Sequence, residues 1–227
     1  MIFDNNLNCV LFDLDGTLVD TAPDFVYTLN NLLQEYKKAP IDDKAISLRV
    51  SNGARELITF GFEIDYEHKH FKELLEKFLK IYERKLETTE SILYPAIEKL
   101  LHTLENNRIS WGVVTNKPEL YAKKLLSQLG LLNNCGVLIC PDHVRKRKPD
   151  PEPIVLACKR LDCHSSRSIY IGDHERDIIA AKRAGARSIA AAYGYLGPEA
   201  NVEAWGADFI VKKSSMLLKL LESIRFT

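Results

Sequence analysis

The sequence predicts an α/β protein: a Rossmann-like parallel sheet with helices on both faces, interrupted by an inserted all-helical domain. Three observations carry this expectation. Short unbroken apolar runs recur and end in polar or glycine-containing turns, helical periodicities separate the later runs, and a long helical stretch without a convincing strand follows the first run. A parallel strand is buried on both faces, so its signature is a continuous apolar run rather than an alternation.

The first strand is Cys9-Val10-Leu11-Phe12, which feeds an Asp/Gly cluster. From Leu18 to Ile109 the pattern is helical. Phe25, Leu29, Leu32, Leu33 and Tyr36 form one apolar stripe, and Phe71, Leu74, Leu75, Phe78, Leu79 and Tyr82 form another. One strand-to-helix crossover does not need so much chain, because βα loops usually run about 2 to 6 residues. The expected division is therefore 1–17 core, 18–91 helical cap and 92–227 core, with Ala96 to Glu105 as the first helix after the return. Further strands are expected at Trp111 to Val114, Val137 to Cys140, Ile169 to Ile171 and Ser188 to Tyr193. Helices between them follow Pro118 and end near Gly130, follow Pro153, and run from Ile178 to Gly185, which is the usual placement of proline at helix starts and glycine at ends.

A chain of 227 residues with 46% hydrophobic and 27% charged side chains can bury a sizeable core and has no disorder-prone bias. Its 31 basic and 31 acidic residues cancel, so no long-range field draws it to nucleic acid or to an anionic membrane. No basic, apolar leader opens the sequence and no window approaches about 18 uninterrupted apolar residues, so a cytoplasmic protein is expected. The five cysteines (Cys9, Cys135, Cys140, Cys158, Cys163) are odd in number, widely spaced and free of CxxC pairs, which favours separate reduced thiols over zinc or disulfides.

The chemistry is expected at the ends of the strands. Asp13 and Asp15 stand two positions apart after the first strand, so an extended segment points both carboxylates to one side. An Asp-rich helix-capping turn accounts for one of them and poorly for two. Gly16 permits the backbone turn that follows, and Thr17 has a hydroxyl to fix it. Thr115 and Asn116 end the second core strand, with a hydroxyl and N–H groups suited to phosphate oxygens, although a Thr-Asn turn is also an ordinary helix cap. Asp173 ends a later strand as a hard oxygen ligand suited to Mg²⁺, while Asp177 suits either the same site or a helix N-terminus. In the run Arg145-Lys146-Arg147-Lys148, three residues read as solvated. Lys148 precedes Pro149 and supplies the cation needed to hold a phosphate beside carboxylates.

This constellation resembles the haloacid dehalogenase-like phosphatases over essentially the whole chain, with four motifs in order: Asp13 to Thr17, Thr115, Lys148, and Gly172 to Asp177. The resemblance implies a helical cap after the first motif and Mg²⁺ held by the carboxylates of Asp13 and Asp173 and the backbone carbonyl of Asp15. It further implies Asp13 as nucleophile, Asp15 as acid and base, Thr115 and Lys148 as stabilisers of phosphoryl charge, and Asp177 as support for the metal site. Dehalogenases of the superfamily lack an acid at the position of Asp15, and no cap lysine stands where a phosphonatase would need one. The third motif departs from the common Gly-Lys-Pro by having Arg147 before Lys148, and His174 replaces a small residue in the fourth.

Substrate choice in this superfamily falls to the cap loop. Here Ser51-Asn52-Gly53-Ala54 resembles phosphoglycolate phosphatases, with Arg49, Asn52 and Gly53 as candidate substrate contacts and Arg55 beside them. An interhelical Asn-Gly turn flanked by surface arginines gives the same pattern. Trp111 to Pro118, Cys140 to His143 and Lys148 to Pro153 look like the N-acetylmuramic acid 6-phosphate phosphatases. The expected partner is a small phosphate ester, most like 2-phosphoglycolate, with the amino-sugar phosphate as the alternative, a phosphomutase of the β-phosphoglucomutase kind behind both, and a non-catalytic binding module disfavoured by the intact motifs. A monomer or homodimer is expected, with neither nucleic acid nor membrane as partner.

Overall fold

Strand β1 (Cys9–Phe12) is buried along its whole length and is the centre from which the sheet is built. In the computed structural model, which describes residues 3–197 and 199–226, it is paired on one side with β4 (Ser110–Val114) and on the other with β6 (Ser168–Gly172). β5 (Val137–Ile139) extends the sheet beyond β4, and β7 (Arg187–Ala191) and β8 (Phe209–Val211) extend it beyond β6. The order is β5-β4-β1-β6-β7-β8, and every pairing is parallel.

Alternate residues of β1 serve two different layers. Val10 and Phe12 pack with the apolar faces of α5 (Ile97–Asn106), α6 (Glu119–Gln128) and α9 (Leu217–Ser223). Cys9 and Leu11 pack with α7 (Glu152–Arg160) and α8 (Glu175–Ala184). Each large apolar side chain buried this way contributes about 1.5–3 kcal/mol, and the two-sided burial is why the strands read as continuous apolar runs.

The helical segment contains α1 (Ala22–Glu35), α2 (Asp43–Ser47), α3 (Gly53–Phe62) and α4 (Phe71–Lys85). The two expected stripes meet here: Phe25 stacks on Tyr82 with ring centroids 4.4 Å apart, and Phe25 and Phe78 lie 6.3 Å apart. Tyr36 departs from its stripe, being exposed with its ring edge-on to Phe62. The expectation of no strand between Leu18 and Ile109 needs correcting. β2 (Val19–Asp20) and β3 (Ile92–Leu93) form an antiparallel ribbon where the chain leaves and re-enters the sheet domain. Two residues are too few to show a period, and Ile92 is exposed, so neither strand leaves an apolar run. β8 and α9 also lay outside the expected elements, since β8 is a three-residue edge strand with only Val211 buried.

The thiols are less dispersed than their spacing suggests. Cys9, Cys158 and Cys163 bring their sulfurs within 4.8 Å of one another, with the Cys9 and Cys163 sulfurs 2.6 Å apart, at the end of the sheet away from Asp13. Sequence distance hides this because β1, α7 and the loop before β6 converge only in the fold. All five cysteines are free.

Candidate active site

Three adjacent strands, β4-β1-β6, deliver Thr115, Asp13 and Asp173 to one edge of the sheet. The register that opposes Phe12 to Val113 and Ile171 makes these ends level, so the side chains converge where a parallel sheet binds ligands. The Asp13 N–H continues the ladder to the Ile171 carbonyl at 2.8 Å, and its Oδ1 accepts the Leu14 N–H at 2.7 Å. Its rotamer is thereby fixed by its own backbone.

Beneath Asp13 lies the Lys148 ammonium, with its side chain only 1% exposed. It is 3.0 Å from Asp13 Oδ1 and 2.7 Å from Asp177 Oδ1, and it donates to the Val114 carbonyl at 2.9 Å and the Tyr170 hydroxyl at 2.7 Å. Burial opposes its charge, but the carboxylates of Asp13 and Asp177 outweigh burial and hold the amine protonated above its ordinary range. Lys148 is thus no surface lysine, whereas Arg145, Lys146 and Arg147 are exposed as expected.

Asp173 is 1% exposed, and burial first, then the charges of Asp13 and Asp177, push its carboxyl up to about 7. The Ser51 hydroxyl at 2.8 Å and the Tyr195 N–H at 3.0 Å partly offset this by donating to Oδ2. Asp177 is fully buried and is likewise raised by burial, with Lys148 opposing. Its second oxygen accepts the His174 N–H at 3.1 Å, while His174 Nδ1 accepts from Arg176, so the two residues cap α8 reciprocally. His174 is half-buried against Trp205, and burial followed by Arg176 lowers its imidazole to about 4. Glycines make the close approach possible: a β-carbon on Gly16, whose φ is +79°, would stand 2.2 Å from Asp173 Oδ2, and one on Gly194 would stand 2.3 Å from the Gly16 carbonyl.

Asp15 is held by two donors. Thr21 Oγ1 and Lys117 Nζ each lie 2.7 Å from its Oδ1, and Lys117 donates in turn to the Tyr82 hydroxyl of α4 at 2.6 Å. Lys117 is 7% exposed and stands 4.7 Å from the ring centroids of both Phe25 and Tyr82. It was not among the residues singled out from the sequence. The available signal was its position directly after Thr115-Asn116. Asn116 donates to the Lys148 carbonyl at 3.1 Å, and its buried side-chain oxygen has no hydrogen-bond partner among the described residues.

A cavity of about 580 Å³ opens over Asp13 and Asp15. Thr115, Asn116 and Lys117 line it from the sheet domain, Ser51, Asn52 and Gly53 from the turn that opens α3, Phe25, Leu75, Leu79 and Tyr82 from α1 and α4, and Tyr66 from the turn between α3 and α4. Arg176 reaches across and donates to the Ser51 carbonyl. Arg49 is placed elsewhere: its guanidinium lies 3.8 Å over the Phe60 ring and donates to the Ala45 carbonyl at 2.8 Å, outside the cavity lining. A flat apolar ring and a free carbonyl within α2–α3 satisfy it locally.

Asp13, Asp173 and Asp177 place three carboxylate oxygens within 4.8 Å of one another, with the Lys148 ammonium in contact with two of them. Hard oxygen donors carrying surplus negative charge fit a hard divalent cation.

The comparisons agree with this chemistry. Residues 10–191 match the family model described as haloacid dehalogenase-like hydrolase. The chain is 42% identical over 217 residues to a Pseudomonas putida protein named N-acetylmuramic acid 6-phosphate phosphatase, covering 96% of this chain and 97% of that one. It is 40% identical over 209 residues to a Xanthomonas campestris protein named phosphoglycolate phosphatase, covering 92% and 93% respectively. A crystal structure from Haemophilus somnus 129pt, titled a predicted phosphoglycolate phosphatase, superposes with a TM-score of 0.84 at 24% identity over 95% of this chain and 98% of that one, which shows the shared fold. With catalytic-type side chains at three adjacent strand ends and these relatives spanning nearly its whole length, the chain belongs to the haloacid dehalogenase-like hydrolases and is a phosphatase.

Proposed function

We propose that the chain hydrolyses the phosphate ester of N-acetylmuramic acid 6-phosphate. The observation that carries this is the cavity above Asp13. At about 580 Å³ it lies within the about 300–1,000 Å³ typical of pockets for ligands larger than a two-carbon acid, and its wall of Phe25, Tyr66, Tyr82 and Tyr121 suits a sugar face. The 42% identity to a protein of that name supports the same reading. Residues 18–91 act as the cap that supplies Phe25, Tyr66 and Tyr82 to this wall, while Tyr121 comes from α6 of the sheet domain.

In the proposed reaction Asp13 attacks phosphorus in line, the ester oxygen leaves, and an aspartyl-phosphate forms. Asp15 gives its proton to the leaving alkoxide and then takes one from the water that releases phosphate. Lys148, Thr115 and the backbone beside Asn116 bear on the charge of the phosphoryl oxygens. Lys148 also keeps Asp13 ionised and in place through its 3.0 Å contact. Mg²⁺ would be held by Asp13, Asp173 and the Asp15 carbonyl, with Asp177 orienting the set, and when bound it supplies electrostatic shielding between the nucleophile and the phosphoryl oxygens. Lys117 and Thr21 orient the Asp15 carboxyl.

A second reading, 2-phosphoglycolate as substrate, is favoured by the 40% identity to the Xanthomonas protein. Phosphate release with Mg²⁺ from both compounds, sugar phosphates and p-nitrophenyl phosphate decides between them. A higher kcat/KM for N-acetylmuramic acid 6-phosphate than for every other compound is expected, and preference for 2-phosphoglycolate would reverse the assignment. A cytoplasmic location fits either metabolite, and no helix among the described residues is long and apolar enough to cross a membrane.

A further inference from the structure

Three arginines line the cavity, Arg55 from α3, Arg147 from the segment before Lys148, and Arg176 from α8. Arg176 is committed to the Ser51 carbonyl. The other two guanidinium groups make no hydrogen bond or ion pair among the described residues. The Arg55 guanidinium lies between two aromatic rings set edge to face, 5.0 Å from the Tyr66 centroid and 5.1 Å from that of Phe71. Cation–π contacts of this kind restrain the guanidinium without using its N–H groups, which stay available to a bidentate acceptor. Arg147 is exposed and occupies the position where the third motif commonly has glycine.

Charge decides what these two groups are for. The cavity lining contains four basic residues, Arg55, Lys117, Arg147 and Arg176, against two acidic ones, Asp13 and Asp15. Lys117 is neutralised by Asp15, and Lys148 already serves Asp13 from below. The phosphoryl end of a substrate is therefore provided for without Arg55 or Arg147, and two cations remain over a cavity much larger than a phosphate. We propose that Arg55 and Arg147, on the helical and the sheet side of the cavity, form a subsite for a second anionic group of the substrate, a carboxylate carried away from the phosphate. This deepens the proposed function and rests on the cavity being the substrate site. It assigns specificity to Arg147, a residue of the basic run otherwise read as solvated.

The experiment uses matched pairs on the full chain with Mg²⁺. N-acetylmuramic acid 6-phosphate is compared with N-acetylglucosamine 6-phosphate, which lacks the lactyl carboxylate, and 2-phosphoglycolate is compared with ethyl phosphate. Arg55→Gln and Arg147→Gln should each lower the ratio of kcat/KM within the preferred pair by about tenfold or more, the usual worth of a charge-assisted hydrogen bond, chiefly through KM. Loss on the carboxylate-free partner should be much smaller, and Arg147→Lys should restore part of the ratio. Equal losses on both members of a pair would show that the arginines serve the phosphate, and a ratio that stays at the wild-type value in both variants would show that they serve nothing; either result overturns the subsite. Failure of the amino-sugar assignment is separately visible, as wild-type turnover of the 2-phosphoglycolate pair alone, and the ratio test then runs on that pair. Unchanged thermal midpoints of both variants establish that the effects are local.

Discussion

Lys148 shows how far a single residue's role depends on partners remote in sequence. Its ammonium is buried, yet charged, because Asp13, Asp177, the Val114 carbonyl and Tyr170 surround it. Lys148→Met would leave two buried carboxylates without their cation, and a loss of about 3–5 kcal/mol in urea denaturation, together with loss of phosphatase activity, is expected. Lys146→Gln, at an exposed neighbour, should stay within about 0.5 kcal/mol of the parent. The motif position of Lys148 was legible in the sequence, but its burial was not, since no apolar pattern surrounds it and the groups that hold it come from four other segments. Lys117 was missed for the same reason: its partners Asp15 and Tyr82 belong to other elements. Thiol chemistry gives a pH test at this scale. Burial pushes Cys135 up to about 11 and Cys140 up to about 12. A raised thiol pKa keeps the unreactive protonated form, so alkylation of both in the native protein at pH 8 should be at least about 100-fold slower than in urea and should rise about tenfold per pH unit toward those values. Native rates equal to the unfolded ones, read by mass spectrometry, would contradict it.

Among the elements, the runs that became β1, β4, β5, β6 and β7 were readable because burial on both faces writes a continuous apolar signature, α6 because Pro118 and Gly130 mark its ends, and α8 because Gly185 marks its stop. The β2–β3 ribbon was not, because pairing of two residues each leaves no period. What secures the return of the chain beside that ribbon is a buried carboxylate. Asp24 of α1 is fully buried and accepts hydrogen bonds from the Thr89 hydroxyl, the Glu90 N–H at 2.9 Å and the Ser91 hydroxyl at 2.6 Å. The contacts tie the first helix of the inserted segment to the strand that leaves it. Asp24→Ala strands those donors, and a destabilisation of about 2–4 kcal/mol is expected, with earlier proteolytic cutting at 86–91. Proteolysis and a urea midpoint like those of the parent would show that the ribbon alone fixes the return.

At the scale of the molecule, the sheet domain and the helical segment meet over the site through few polar contacts, and Ser51 is central to them. Its hydroxyl donates to Asp173 at 2.8 Å and its carbonyl accepts from Arg176, so a loop of the helical segment is fastened to the residue that ends β6 and to the helix that follows it. Loops that close over a phosphoryl group exclude water and complete the site, and their closed state is stabilised only by contacts absent when open. Arg176→Ala removes one such contact without touching Asp13, Asp15 or Lys148. Because the lost bond concerns closure and not recognition of a particular group, kcat/KM should fall about 10-fold or more, by a similar factor for p-nitrophenyl phosphate, 2-phosphoglycolate and N-acetylmuramic acid 6-phosphate. That uniformity separates it from Arg55→Gln and Arg147→Gln, whose losses follow the carboxylate. A loss at Arg176 confined to carboxylate-bearing substrates would instead place its guanidinium on the ligand, and the fastening of Ser51 would then be incidental to turnover.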